Sequence, residues 1–71
     1  MTVTLKELHP GCIVLIAAFD DIPEHRFLVE EAFDDLVTGV ALTGPFAGEF
    51  GEPDIGMIVR VIQKGTPIGN T

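Results

Sequence analysis

From Cys12 to Phe19 the chain reads CIVLIAAF, eight apolar residues without a polar one. The run is rich in β-branched residues and too short for a long helix, so it predicts a strand covered on both faces. Its two period-2 faces are Cys12, Val14, Ile16, Ala18 and Ile13, Leu15, Ala17, Phe19. Upstream, TVTLKEL alternates Val3 and Leu5 against Thr2, Thr4 and Lys6, which predicts a short first strand. Pro10 and Gly11 lie between the two. Proline presets the second position of a type II turn and glycine takes the positive φ of the third. DDIPE follows as a loop, because Pro23 cannot donate to a ladder. HRFLVEEAF predicts the next strand, with Phe27, Val29 and Phe33 on one face and Arg26, Leu28, Glu30 and Ala32 on the other. Asp34 and Asp35 suit a tight hairpin turn, after which LVTGVALT returns. Gly39 inside that strand marks a bulge or a bend. GMIVRVIQK is the last strand, with Met57, Val59 and Val61 opposite Ile58, Arg60 and Ile62.

The stretch TGPFAGEFGEPD (Thr43 to Asp54) breaks this alternation. A phosphate-binding loop needs a lysine after its glycines, and here Glu49 and Glu52 stand instead. Glu49, Glu52 and Asp54 also lack the spacing of an EF-hand. Gly44 suits an N-cap, Pro45 a first helical position and Gly51 a helix end. Phe46 and Phe50, four apart, then share one face. The stretch therefore reads as a helical or 3-10 plug that closes one end of the fold with two core phenyl rings, its acids facing water.

Short strands separated by turn signals, without a long amphipathic helix, predict an all-β fold. The chain is too short for a full sandwich. A strongly bent barrel of about five antiparallel strands, with one short helical or 3-10 turn before the last strand, fits it. The expected domain covers residues 1–66, with a frayed tail over 67–71. LHPGCIVLI resembles the opening of SH3-like small barrels, and HRFLVEEAFDDLVTGVAL resembles their central hairpin. The resemblance implies the fold and carries over no functional residue. Signalling SH3 domains bind peptides in an aromatic groove, and this chain has neither Trp nor Tyr.

Composition narrows the partners. A chain of 71 residues buries only about 60% of its unfolded surface. It has one cysteine, hence no internal disulfide, and 46% apolar residues. A small apolar chain without a staple gains stability by oligomerising, so a homodimer is expected. The net charge of −7 leaves four scattered cations, Lys6, Arg26, Arg60 and Lys64. That is no footprint for nucleic acid or for an anionic membrane surface, whereas a basic protein partner fits. The longest apolar run is eight residues against about 20 for a membrane-spanning helix. No signal peptide is read at the N-terminus, and the unpaired cysteine suits the reducing cytoplasm.

Little catalytic chemistry is visible. His9, Cys12 and His25 lack a fourth zinc ligand, and no metal or cofactor is expected. Cys12 reads as a small buried hydrophobe rather than a nucleophile. Glu30 and Glu31, adjacent on a strand, are expected on opposite faces and so do not make a catalytic pair. Between Asp20 and Asp35 lie seven acids and Arg26. Glu30, Asp34 and Asp35 are therefore the candidate contacts for a basic partner. Val14, Ile16 and Ile58 are the candidate self-association residues, because the all-apolar strand has one face to spare and the last strand adds Ile58 and Ile62 opposite Met57, Val59 and Val61. The function expected from these features is a non-enzymatic interaction module acting as a homo-oligomer or assembly subunit. The alternative is a small-molecule binder or enzyme whose pocket forms between subunits near Gly44–Asp54.

Overall fold

The computed structural model describes residues 8–64 of the chain. Five strands form one antiparallel sheet: β1 (Ile13–Ile16), β2 (His25–Ala32), β3 (Val37–Ala41), β4 (Phe50–Gly51) and β5 (Ile58–Gln63). Their order across the sheet is β4-β3-β2-β1-β5, and a 3-10 turn over Ile55–Met57 leads into β5. This is the all-β fold of five antiparallel strands, with a 3-10 turn before the last, that the sequence pattern predicts. The strand expected over residues 2–8 lies outside the described residues except for Leu8, which is buried. The domain end at 66 and the tail over 67–71 lie outside them too.

The turn chemistry acts where it was expected. Gly11 has φ +89°, and the Cys12 amide donates to the His9 carbonyl at 3.0 Å, which closes the Pro10–Gly11 turn. Asp34 and Asp35 form a two-residue link, with the Phe33 amide bonded to the Leu36 carbonyl at 2.8 Å. Asp20 and Asp21 make a second such link, because Phe19 and Ile22 exchange backbone hydrogen bonds.

The core is the inner face of the sheet. Cys12, Val14, Ile16, Phe27, Val29, Val37, Ala41 and Ile58 are all buried there. Register explains the set: Val14 lies opposite Phe27, and Ile16 opposite His25 on one side and Ile58 on the other. Val14, Ile16 and Ile58 are thus core residues at 0%, 1% and 5% exposure, not the free face expected for self-association. A single chain has already buried them. The spare apolar side chains of β1 are Ile13 and Leu15, half-buried on the outer face.

Bulges account for the other departures from strict alternation. In β2, Val29 pairs with Gly39 but Glu31 pairs with Thr38, so Glu30 is an extra residue. The alternation slips by one. Ala32 packs against the core, and Phe33, expected inside with Phe27 and Val29, is exposed. Glu30 and Glu31 are both exposed at the bulge, which corrects the expectation that they part to opposite faces. In β5, Ile58, Arg60, Val61 and Gln63 find partners on β1, while Val59 and Ile62 are left over. Those two are exposed for that reason, against the simple split of Met57, Val59 and Val61 from Ile58, Arg60 and Ile62. Bulges bend a strand and increase its twist, which curls a small sheet towards a barrel.

The stretch from Gly44 to Gly51 is not a plug. It is the turn of the β3–β4 hairpin, with Gly44 at φ +84° and Gly48 at φ +88°. The Gly48 amide returns to the Ala41 carbonyl at 2.7 Å. Phe46 and Phe50 are 44% and 63% exposed, so neither is a core residue. Phe50 is committed to β4 opposite Val40, and two glycines with positive φ interrupt any helix before it. The 3-10 turn falls later, at Ile55–Met57, where the Ile55 amide bonds the Asp35 carbonyl at 3.0 Å.

Candidate functional site, an aromatic cleft at the open side of the barrel

Three exposed phenylalanines from different segments gather at one cleft of about 380 Å³. Phe19 comes from the β1–β2 link, Phe46 from the β3–β4 turn and Phe50 from β4. Behind them the floor is core: Ile16, Phe27 and Ala41. Register sets Phe50 on the outer face with Val40, so it stands at the lip rather than the floor. The charged residues of the lining are Glu49 and Glu52, with no Lys or Arg among them.

His25 is the one other ionisable group of the lining, and it is 8% exposed. Its Nδ1 lies 2.9 Å from the Pro23 carbonyl oxygen. A carbonyl only accepts, so Nδ1 carries the proton and a neutral ring has its acceptor at Nε2. Pro23 thereby orients the ring from the loop just before β2. Gly44 packs beneath it; a β-carbon there would lie 3.3 Å from the His25 Cβ.

A second hollow of about 380 Å³ lies at the other end of β2. Leu8, Pro10, Ala32 and Phe33 line it together with Glu31 and Asp34. β2 has eight residues, so at about 3.3 Å per residue its ends stand roughly 23 Å apart. The partner candidates Glu30, Asp34 and Asp35 are therefore near the second hollow and not at the aromatic cleft. All three are exposed. Glu30 sits at the bulge, and Asp34 and Asp35 in the adjoining turn.

Cys12 and His25 stay apart in role. Cys12 is fully buried, and burial pushes its thiol above the ordinary value, against a smaller opposing effect of a backbone hydrogen bond. Burial disfavours the thiolate that a nucleophile or a metal site needs. Among the described residues no group of three His, Cys, Asp or Glu side chains gathers where it could hold a metal ion. No helix among them is long and apolar enough to cross a membrane.

The sequence pattern pointed to Thr43–Asp54 as unusual, and the cleft takes Phe46, Glu49, Phe50, Gly51, Glu52 and Pro53 from it. What it missed was the sense of the two phenyl rings, which face outward, and the contribution of Phe19. The tight Asp20–Asp21 turn is the signal for Phe19, since it holds the Phe19 backbone in an antiparallel bridge with Ile22. No protein-family model matches this chain, and no curated protein or solved structure matches it either.

Proposed function

We propose that the protein is a non-enzymatic, cytoplasmic interaction module that receives an extended basic segment of another protein in the aromatic cleft. The observation that carries this reading is the lining itself: exposed phenyl rings from three segments, with carboxylates as the only formal charges. Aromatic rings offer area to apolar side chains and their faces attract Lys and Arg, while nearby carboxylates pair with the same cations. Mainly apolar clefts with a few placed polar groups are the usual form of a binding site. Asp34 and Asp35, exposed at the far end of β2, add to the negative field that steers a cationic partner. The same field disfavours nucleic acid and anionic lipid.

Heteronuclear NMR titration tests this with two peptides, one alternating Arg with Leu and Pro and one with Glu in place of Arg. The Arg peptide is expected to shift the signals of Phe19, His25, Phe46 and Gly51, and the Glu peptide to leave them in place. Equal response to both, or none to either, refutes the reading. The volume of about 380 Å³ also falls in the range of roughly 300–1,000 Å³ typical of small-molecule sites. A small apolar cation is thus the second reading. Saturable shifts with tetramethylammonium or an alkylguanidine, without a response to the peptide, would favour it.

A further inference from the structure

We infer that the outer face of the sheet pairs with a second copy of this chain about a two-fold axis at Leu28. On β2, His25, Phe27 and Val29 are buried, so Arg26, Leu28 and Glu30 take the outer side. In chain order that side reads cation, apolar, anion. A two-fold axis that lies between the two stacked sheets, parallel to them and perpendicular to β2 over Leu28, sets Leu28 against its own copy. The same rotation exchanges the strand's two directions, so Arg26 of each chain meets Glu30 of the other. The pattern is self-complementary, which is the requirement for an isologous interface.

The surroundings of Leu28 suit that role. Ile13 pairs with Leu28 on one side and Val40 on the other, which makes an apolar row across β1, β2 and β3. All three are half-buried. Leu15, also half-buried, lies beside it opposite Arg26. Two such faces stacked about 10 Å apart make an ordinary sheet-on-sheet packing. Pairing through an edge is the less suitable route. β4 is two residues long, and β5 carries two extra residues, Val59 and Ile62, besides Arg60, with Lys64 just past its end. Short strands, bulges and charges are the devices that keep edges from pairing. The net charge of −7 on each chain opposes any random approach of two copies. Arg26, the one Lys or Arg between Asp20 and Asp35, thus sits where a second copy's acid is delivered to it.

Analytical ultracentrifugation of the full chain over a hundredfold dilution series, with circular dichroism as a folding control, decides the matter. The native chain is expected at twice its 7.6 kDa mass. Arg26→Glu alone and Glu30→Arg alone should each weaken the dimer at least tenfold, since like charges then meet twice. The double variant should recover it. A mixture of the two single variants should also pair, because one then offers two acids and the other two arginines. Leu28→Asp should give a folded monomer. A native mass of 7.6 kDa throughout overturns the inference. So do single variants that dimerise like the native chain, or a double variant and mixture that fail to recover it. Titrating the Arg peptide into the Leu28→Asp monomer keeps the two ideas separate, because Leu28 is not among the residues that line the cleft.

Discussion

Gly39 lies directly beneath the Leu28 carbonyl: a β-carbon on it would fall 1.9 Å from that oxygen and 3.0 Å from Cε2 of Phe27. The glycine is needed for close approach and not for its dihedral angles, since its φ is not positive. Gly39 stands next to the β2 bulge, and the Phe27 ring covers both it and Gly51, its partner on β4. Gly39→Ala must therefore push backbone from backbone. Overpacking costs about 1–3 kcal/mol or more, against a total of roughly 3–5 kcal/mol for a core this small. The variant is expected to be largely unfolded at 37 °C by circular dichroism. Gly51→Ala is the control. Its β-carbon would lie 3.6 Å from the Phe27 ring, an ordinary contact, and its melting temperature should change little.

The exposed and buried phenylalanines should separate cleanly in thermal melts. Phe27, 3% exposed, is the one phenylalanine of the core among the described residues, and truncating it to Ala should cost about 3–5 kcal/mol. Phe46→Ala and Phe50→Ala, at 44% and 63% exposure, should cost less than about 1 kcal/mol, as surface substitutions do. Both should nevertheless lose the Arg peptide in the NMR titration. A collapse of stability in Phe46→Ala would return that ring to the core and remove it from the cleft.

Cys12 makes stability fall at high pH. Its folded thiol is raised by burial above the model-compound value of 9.0. The folded state then holds its proton at a pH where the unfolded chain releases it, so the slope of unfolding free energy against pH is negative there. The contribution is complete below the unfolded value and is lost as pH rises from about 9 towards the folded value. Urea melts at pH 7 and pH 10 should show a loss that Cys12→Ala does not share, although that variant starts less stable. Equal pH dependence in the two proteins would exclude the thiol as the cause.

The fold was legible in the chain because its turns announce themselves. Pro10–Gly11 and Asp34–Asp35 needed only local chemistry to be read. The bulges did not, since an extra residue such as Glu30, Val59 or Ile62 becomes visible only when two strands are set side by side. Each bulge then moves every later side chain of its strand to the other face. That slip put Phe33 outside, and period-2 reasoning could not foresee it. Val14 and Ile16 were recognised as apolar but assigned to the wrong side, because eight apolar residues in a row give no phase; Ile58 was misplaced because both faces of the last strand carry apolar residues. The cleft was half legible: the Thr43–Asp54 stretch stood out by composition, whereas its helical reading ignored Gly48, whose φ of +88° ends any helix before Phe50.

Asp20 offers the last test, because it is the sole non-glycine residue with positive φ among the described residues, at +49°. Left-handed backbone costs most residues about 1–2 kcal/mol, while Asp and Asn carry it more readily. Phe19 and Ile22 bracket Asp20 with two hydrogen bonds of 2.9 and 2.8 Å, so the conformation is imposed by the ladder on either side. Asp20→Gly and Asp20→Asn should then melt at or above the native temperature. Asp20→Val, with a branched β-carbon in the same geometry, should lose about 1–2 kcal/mol. It should also weaken the Arg peptide, because Phe19 is the next residue and its place in the cleft depends on this turn. If Asp20→Val kept both its melting temperature and its peptide affinity, the Asp20–Asp21 turn would not be what holds Phe19 in the wall.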